Sequence, residues 1–197
     1  ILSFSSSVPS LEDGEIFSYS NNKKLAKKVS DRLRMLHSAV YAAIKNDIAL
    51  EWGEANKMCD ELAMSVFGKE IFSDRRFAGW FNRNTDAMEA FVKRTENGLN
   101  LSDRVWNTTK QLRSEMELAM TVSIGQGESA SAISRKVRQY LNNPDKLFRR
   151  IKDEEGNLKL SKAAKAYHPG QGVYRSSAKN AMRLARSEPN IAYRTSD

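Results

Sequence analysis

Apolar residues recur every three or four positions along most of this chain. Leu25, Val29, Leu33, Leu36, Val40, Ile44 and Ile48 form the first such series. The spacing is that of one helical face, and it predicts a long helix over 22–51 that Asn21 or Asn22 caps and Gly53 ends or bends. Met58, Leu62 and Val66 repeat the spacing in a second helix that Gly68 stops. "DAMEAFVKRT" predicts a short helix before the break "ENGLN". Val105, Thr109, Leu112, Met116 and Ala119 share a face in a helix over 102–123 that Ser102 can cap and that Gly125 and Gly127 break. Ile133, Val137 and Leu141 define a helix that starts at Ser129 or Ser131 and ends at "NNP". Ala178, Ala181, Met182 and Ala185 mark a last one. Alternating strand patterns are nearly absent, so the expected class is all-α. We expect an elongated helical bundle with long antiparallel helices side by side, and a minor β-hairpin near 150–160 around the turn signal "DEEGN".

The Ser-rich opening, with Pro9 and Gly14, lacks periodicity and predicts a flexible arm over 1–20. A helical domain then spans 21–142, and a basic linker with the start of a further module spans 143–197. Between Lys69 and Thr85 the rings of Phe72, Phe77, Trp80 and Phe81 alternate with Arg75, Arg76 and Arg83. That pattern suits stacking on bases. It also suits a loop that plugs the end of a bundle with its rings, the commoner use of large aromatics.

Length and composition narrow the class. With 197 residues and 40% apolar content, the chain can bury a core as one domain or two small ones. It has no run of eighteen apolar residues, so no membrane span is expected. Its opening at Ile1, with no signal-like segment, reads as an internal start. The single cysteine, Cys59 beside Met58 and Leu62, excludes an intrachain disulfide framework and reads as a buried thiol in a reducing compartment.

The net charge of +8 is unevenly placed: residues 135–197 hold 15 Lys and Arg against 6 Asp and Glu, residues 1–134 hold 17 against 18. Within the basic end, Arg175, Lys179, Arg183 and Arg186 step by four, four and three, one helical face without carboxylates at i±4. With Lys162 and Lys165 they are the candidate contacts for duplex DNA, through phosphates and without regard to sequence. An acidic protein surface or plain solvation would also accommodate them. Helix, glycine turn and a basic helix carrying Arg135, Lys136, Arg138 and Gln139 form the outline of a helix-turn-helix reader, although the first helix is about twice the usual length for one.

No catalytic constellation is present. His37 and His168 lack Cys or carboxylate neighbours at metal-ligand spacing, and neither "GQG" sits in a phosphate loop. No enzyme activity, metal, cofactor or small-molecule substrate is expected.

The run "LSDRVWN…IGQGESASAISRKVRQYL", followed by "SSAKNAMRLARSEPNIAYRTSD", resembles the minor head proteins of tailed bacteriophages, the Mu F-like head-morphogenesis family. Leu101–Trp106 matches that family's Leu-Ser-x-Arg-Val/Ile-Trp helix, and Ala185–Asn190 matches its Ala-Arg-Thr-Glu helix with Ser187 in place of Thr. The resemblance covers roughly the second half of the chain. The family's Cys-x-x-Cys pair and terminal His-Pro-x-Cys element have no counterpart here, and "YHPG" at 167–170 precedes the Arg-Ser-Glu helix. The chain therefore reads as the N-terminal portion of a longer protein, its C-terminal module truncated. The resemblance implies a place in the phage virion, in the capsid interior near the portal, after synthesis in the bacterial cytoplasm. It also implies a role in head morphogenesis and DNA packaging or delivery, with portal protein, capsid or scaffold proteins and double-stranded DNA as partners. The rival readings are a helix-turn-helix regulator and a non-viral helical scaffold or adaptor.

Overall fold

The computed structural model describes residues 17–148, 150–160 and 162–196. The fold is all-α, with six α-helices and one short hairpin among the described residues. They are α1 (Lys23–Phe67), α2 (Thr85–Lys93), α3 (Leu101–Gly125), α4 (Ala130–Asn142), β1 (Arg150–Lys152), β2 (Leu158–Leu160), α5 (Lys162–Ala166) and α6 (Ser177–Thr195). Strands β1 and β2 pair antiparallel, Arg150 with Leu160 and Lys152 with Leu158, inside the span expected for a hairpin. Asp153 holds the turn by accepting from the Asn157 and Glu155 amides at 2.7 and 3.2 Å.

The 45-residue α1 corrects the two-helix expectation. Asn22 caps it, its Oδ1 accepting from the Leu25 amide at 3.0 Å. Gly53 neither ends nor breaks the helix. An interior glycine costs about 1 kcal/mol against alanine. Trp52 and Ala55, buried on either side of it, more than offset that. The stop comes at Gly68, whose φ of 83° follows the last turn. Cys59 lies on an exposed part of α1, not in a core. Its neighbours Met58 and Leu62 are themselves exposed there.

A second correction concerns α3. Its cap is Asn100, not Ser102: the Asp103 amide donates to Asn100 Oδ1 at 2.9 Å while the Asn100 amide donates to Asp103 Oδ2 at 3.2 Å, a reciprocal capping box. Gly127, at φ 68°, makes the turn into α4, and Ser129 caps that helix. Helix α6 runs through Pro189 to Thr195, with Glu188 and Ala192 buried around the proline.

The chain divides into two compact units, and their bounds depart from the expected division at 142. The first comprises Ile1–Leu36 and Asn107–Ala181, the second His37–Trp106 and Met182–Asp197. In the first, Val29 and Leu33 of α1 pack with Met120 of α3, Ile133 of α4, Phe17 and Tyr19. Residues 17–20 are therefore core and turn rather than arm, because two aromatic rings at 3% and 2% exposure are worth more buried than free. Residues 1–16 of that arm lie outside the described residues. In the second unit, Ile44, Ile48 and Trp52 pack with Phe91, Val92, Leu101, Val105 and Ala192.

Candidate nucleic-acid interface

The cations of the basic end do not all stand in one row. Lys179, Arg183 and Arg186 share the solvent face of α6. Arg175 precedes the helix, half-buried, and its Nε donates to the Tyr167 carbonyl at 3.2 Å. This corrects the four-residue stripe to three. Lys165 is exposed on α5; Lys162 opens that helix, and its side chain lies outside the described residues.

Carboxylates from other elements offset part of this charge, which spacing along one helix could not reveal. Within the first unit, Lys179 lies 3.7 Å from Asp145. Within the second, Arg186 lines an open groove of ≈580 Å³ between α1 and α6 together with Asp47, Glu51, Leu50, Pro189, Asn190 and Tyr193. Two acids beside one guanidinium make that groove no attractive seat for a polyanion.

A stronger basic surface lies where the charge count looked neutral. Lys23, Lys24, Lys27, Lys28, Arg32 and Arg34 are all exposed on the first three turns of α1, with Asp31 as the one acid among them. Asp31 sits 3.8 Å from Arg34, and among the described residues the four lysines make no ion pair. Averaging over residues 1–134 concealed this cluster, and a twelve-residue window would have shown it.

Helix α4 turns Ile133, Val137 and Tyr140 inward and leaves Arg135, Lys136, Arg138 and Gln139 exposed. Lys136 pairs with Glu128, and Gln139 accepts from Lys146. The aromatic segment 72–81 does not plug a core as expected: Phe72 and Trp80 are 46% and 57% exposed and Phe77 and Phe81 half-buried. The rings pack on one another, Phe72 with Phe81 at 4.1 Å and Phe77 with Trp80 at 4.9 Å.

Each unit also buries a glutamate almost completely, which no sequence pattern announces. In the second, Glu188 of α6 is 1% exposed and receives two guanidinium groups. Arg104 reaches its two oxygens at 2.6 and 3.1 Å, and Arg94 adds a contact at 3.0 Å. Arg104 also holds Glu96 at 2.8 Å, and Arg94 lies 3.6 Å over the Phe91 ring. In the first unit, Glu115 of α3 is fully buried and, among the described residues, meets neutral donors. The Ser177 amide donates at 2.7 Å, the Ser177 hydroxyl at 2.8 Å, and Tyr140 donates its hydroxyl. Burial pushes the Glu115 carboxyl above its usual range, against the opposing pull of those donors. Burial likewise raises Tyr140, with Glu115 adding to the effect.

His37 Nε2 lies 3.1 Å from both the carbonyl and hydroxyl oxygens of Ser102. No group of three or more His, Cys, Asp or Glu stands ready to hold a metal among the described residues, and no helix there is long and apolar enough to cross a membrane. Comparison with family models, with curated proteins and with solved structures returns no match.

Proposed function

We infer that the protein is a minor head protein of the tailed-phage type, acting without enzyme activity in head morphogenesis and in DNA packaging or delivery near the portal. On this reading it resides in the capsid interior and touches duplex DNA through basic surfaces. The observation that carries the reading is the pairing of Arg104 with Glu188. Arg104 belongs to "LSDRVW" and Glu188 to "ARSEPN", the two segments that resemble the head-protein family. Eighty-four residues apart, they form one buried, bidentate ion pair within a single unit. Two unrelated chance matches have no reason to meet in this way, whereas two parts of one structural module do.

The exposed cations of α4 favour a second reading, a helix-turn-helix regulator. The contacts of Lys136 and Gln139 to neighbouring side chains speak against it, since base-reading side chains must be available to the groove. The length of α3, 25 residues, does so too.

The test is affinity capture with the full chain against the portal-type protein encoded beside its gene, with duplex binding measured in parallel. The proposal expects retention of the portal-type protein and DNA binding that weakens with salt. Failure of both, or tight preference for one duplex sequence, removes it.

A further inference from the structure

We propose that the principal DNA-contacting surface is the exposed face of the first three turns of α1, carried by Lys23, Lys24, Lys27, Lys28, Arg32 and Arg34, and not the α6 row. The inference rests on the reading of the protein as a non-specific DNA binder and says which surface does the binding.

Three observations point to it. First, the face is held in place: Leu25, Val29 and Leu33 occupy the opposite side of α1 and pack against Met120 and Ile133 in the core of the first unit. Second, its charge is little offset among the described residues. Six cations stand against Asp31, while Lys179 and Arg186 of α6 have acids beside them. Lys24, Lys28 and Arg32 step by four, so each cation repels the next along its row. Lys23 and Lys24 also open the helix, and its first turn holds no acid. Cations there oppose the positive end of the helix dipole. A cluster that disfavours its own helix is relieved when a polyanion lies against it. Third, the density fits. At ~1.5 Å rise per residue, six cations over twelve residues give one per ~3 Å of axis. One strand of duplex DNA carries a phosphate every ~3.4 Å. Four of its six cations are lysines, which meet phosphate as point charges, so the contact is to backbone and indifferent to sequence.

The experiment uses the full chain and a fluorescent duplex of arbitrary sequence, with binding followed from about 50 to 200 mM salt. Two variants are compared: one with Lys23, Lys24, Lys27 and Lys28 changed to Gln, the other with Lys179, Arg183 and Arg186 changed to Gln. Gln keeps fair helix propensity, and circular dichroism checks the fold. The expected result is a log–log salt slope reduced by about 3 to 4 in the α1 variant, at ~0.9 per lost contact, and by less than about 1 in the α6 variant. Changing the same four lysines to Arg should restore the slope, which separates charge from folding. An unchanged α1 variant with a flattened α6 variant overturns the inference and leaves the DNA-binding reading standing. If the unaltered chain binds no DNA at low salt, both fall. Capture on phosphatidylserine vesicles that excess duplex does not reverse would assign the face to a lipid surface and overturn the inference as well.

Discussion

The two units solve the same problem in opposite ways. Each buries one glutamate of a helix almost completely, Glu188 at 1% exposure and Glu115 at 0%. Glu188 is answered by charge, with Arg94 and Arg104 both on it. Glu115 is answered by neutral hydroxyl and amide donors from Tyr140 and Ser177. A buried carboxylate held by guanidinium groups cannot be lost without stranding their charge. One that faces neutral donors strands no charge, and both hydroxyls can turn and accept. The same residue type thus acts as a charged clamp in one unit and as a polar cap in the other, where it holds the first turn of α6.

The comparison breaks most directly at Glu188. Glu188→Gln should destabilise the chain by about 3–5 kcal/mol, the usual effect of leaving buried charge unpaired, as read from urea unfolding. Glu115→Ala should cost less, about 1–3 kcal/mol, since it leaves the Ser177 amide and Tyr140 hydroxyl without an acceptor. Asn100→Ala removes the cap ahead of Arg104 and should cost about 1 kcal/mol. This variant tests whether the clamp depends on the start of α3. An effect as large as that of Glu188→Gln would mean that the cap, not the ion pair, anchors the segment. Glu115→Gln should be the mildest, under about 1 kcal/mol near neutral pH, because an amide can still accept from the Ser177 amide and donate to a hydroxyl. A loss as large as that of Glu115→Ala would show that the negative charge itself is needed.

The pH dependence sharpens the contrast further. The folded chain raises the Glu115 carboxyl above its ordinary value of 4.5. Its contribution is therefore fully present below that value and is lost as pH rises through the raised folded value. Unfolding midpoints measured across that window should show a decline that flattens in Glu115→Gln. A profile identical in the two proteins would contradict the assignment.

Much of the fold was legible because it rests on local chemistry. The three-and-four spacing marks the helices, Gly68 and Ser129 act as stop and start, and "DEEGN" turns the hairpin. What escaped rests on distant contacts. Gly53 reads as a break until Trp52 and Ala55 are known to be buried beside it. Phe17 and Tyr19 sit in a stretch too short to show a period, yet they complete the core of the first unit. Glu115 and Glu188 look like any surface glutamate of a helix, since their partners lie 62 and 84 residues away. The candidate interface was legible only in its chemistry. Residue counts identified the excess of basic charge at the C-terminal end. The carboxylates of Asp145, Asp47 and Glu51, which decide how much of that charge remains available, come from other elements.

The claim that the protein meets DNA by charge alone is tested most directly by a competition titration of the unaltered chain with two duplexes of equal length and unrelated sequence, across a range of salt. The account predicts matching affinities at every salt concentration and a common, steep log–log decline, with a slope of about −4 to −5 for the five or so phosphates neutralised. A preference for one duplex that survives high salt, or no binding at low salt, would contradict it.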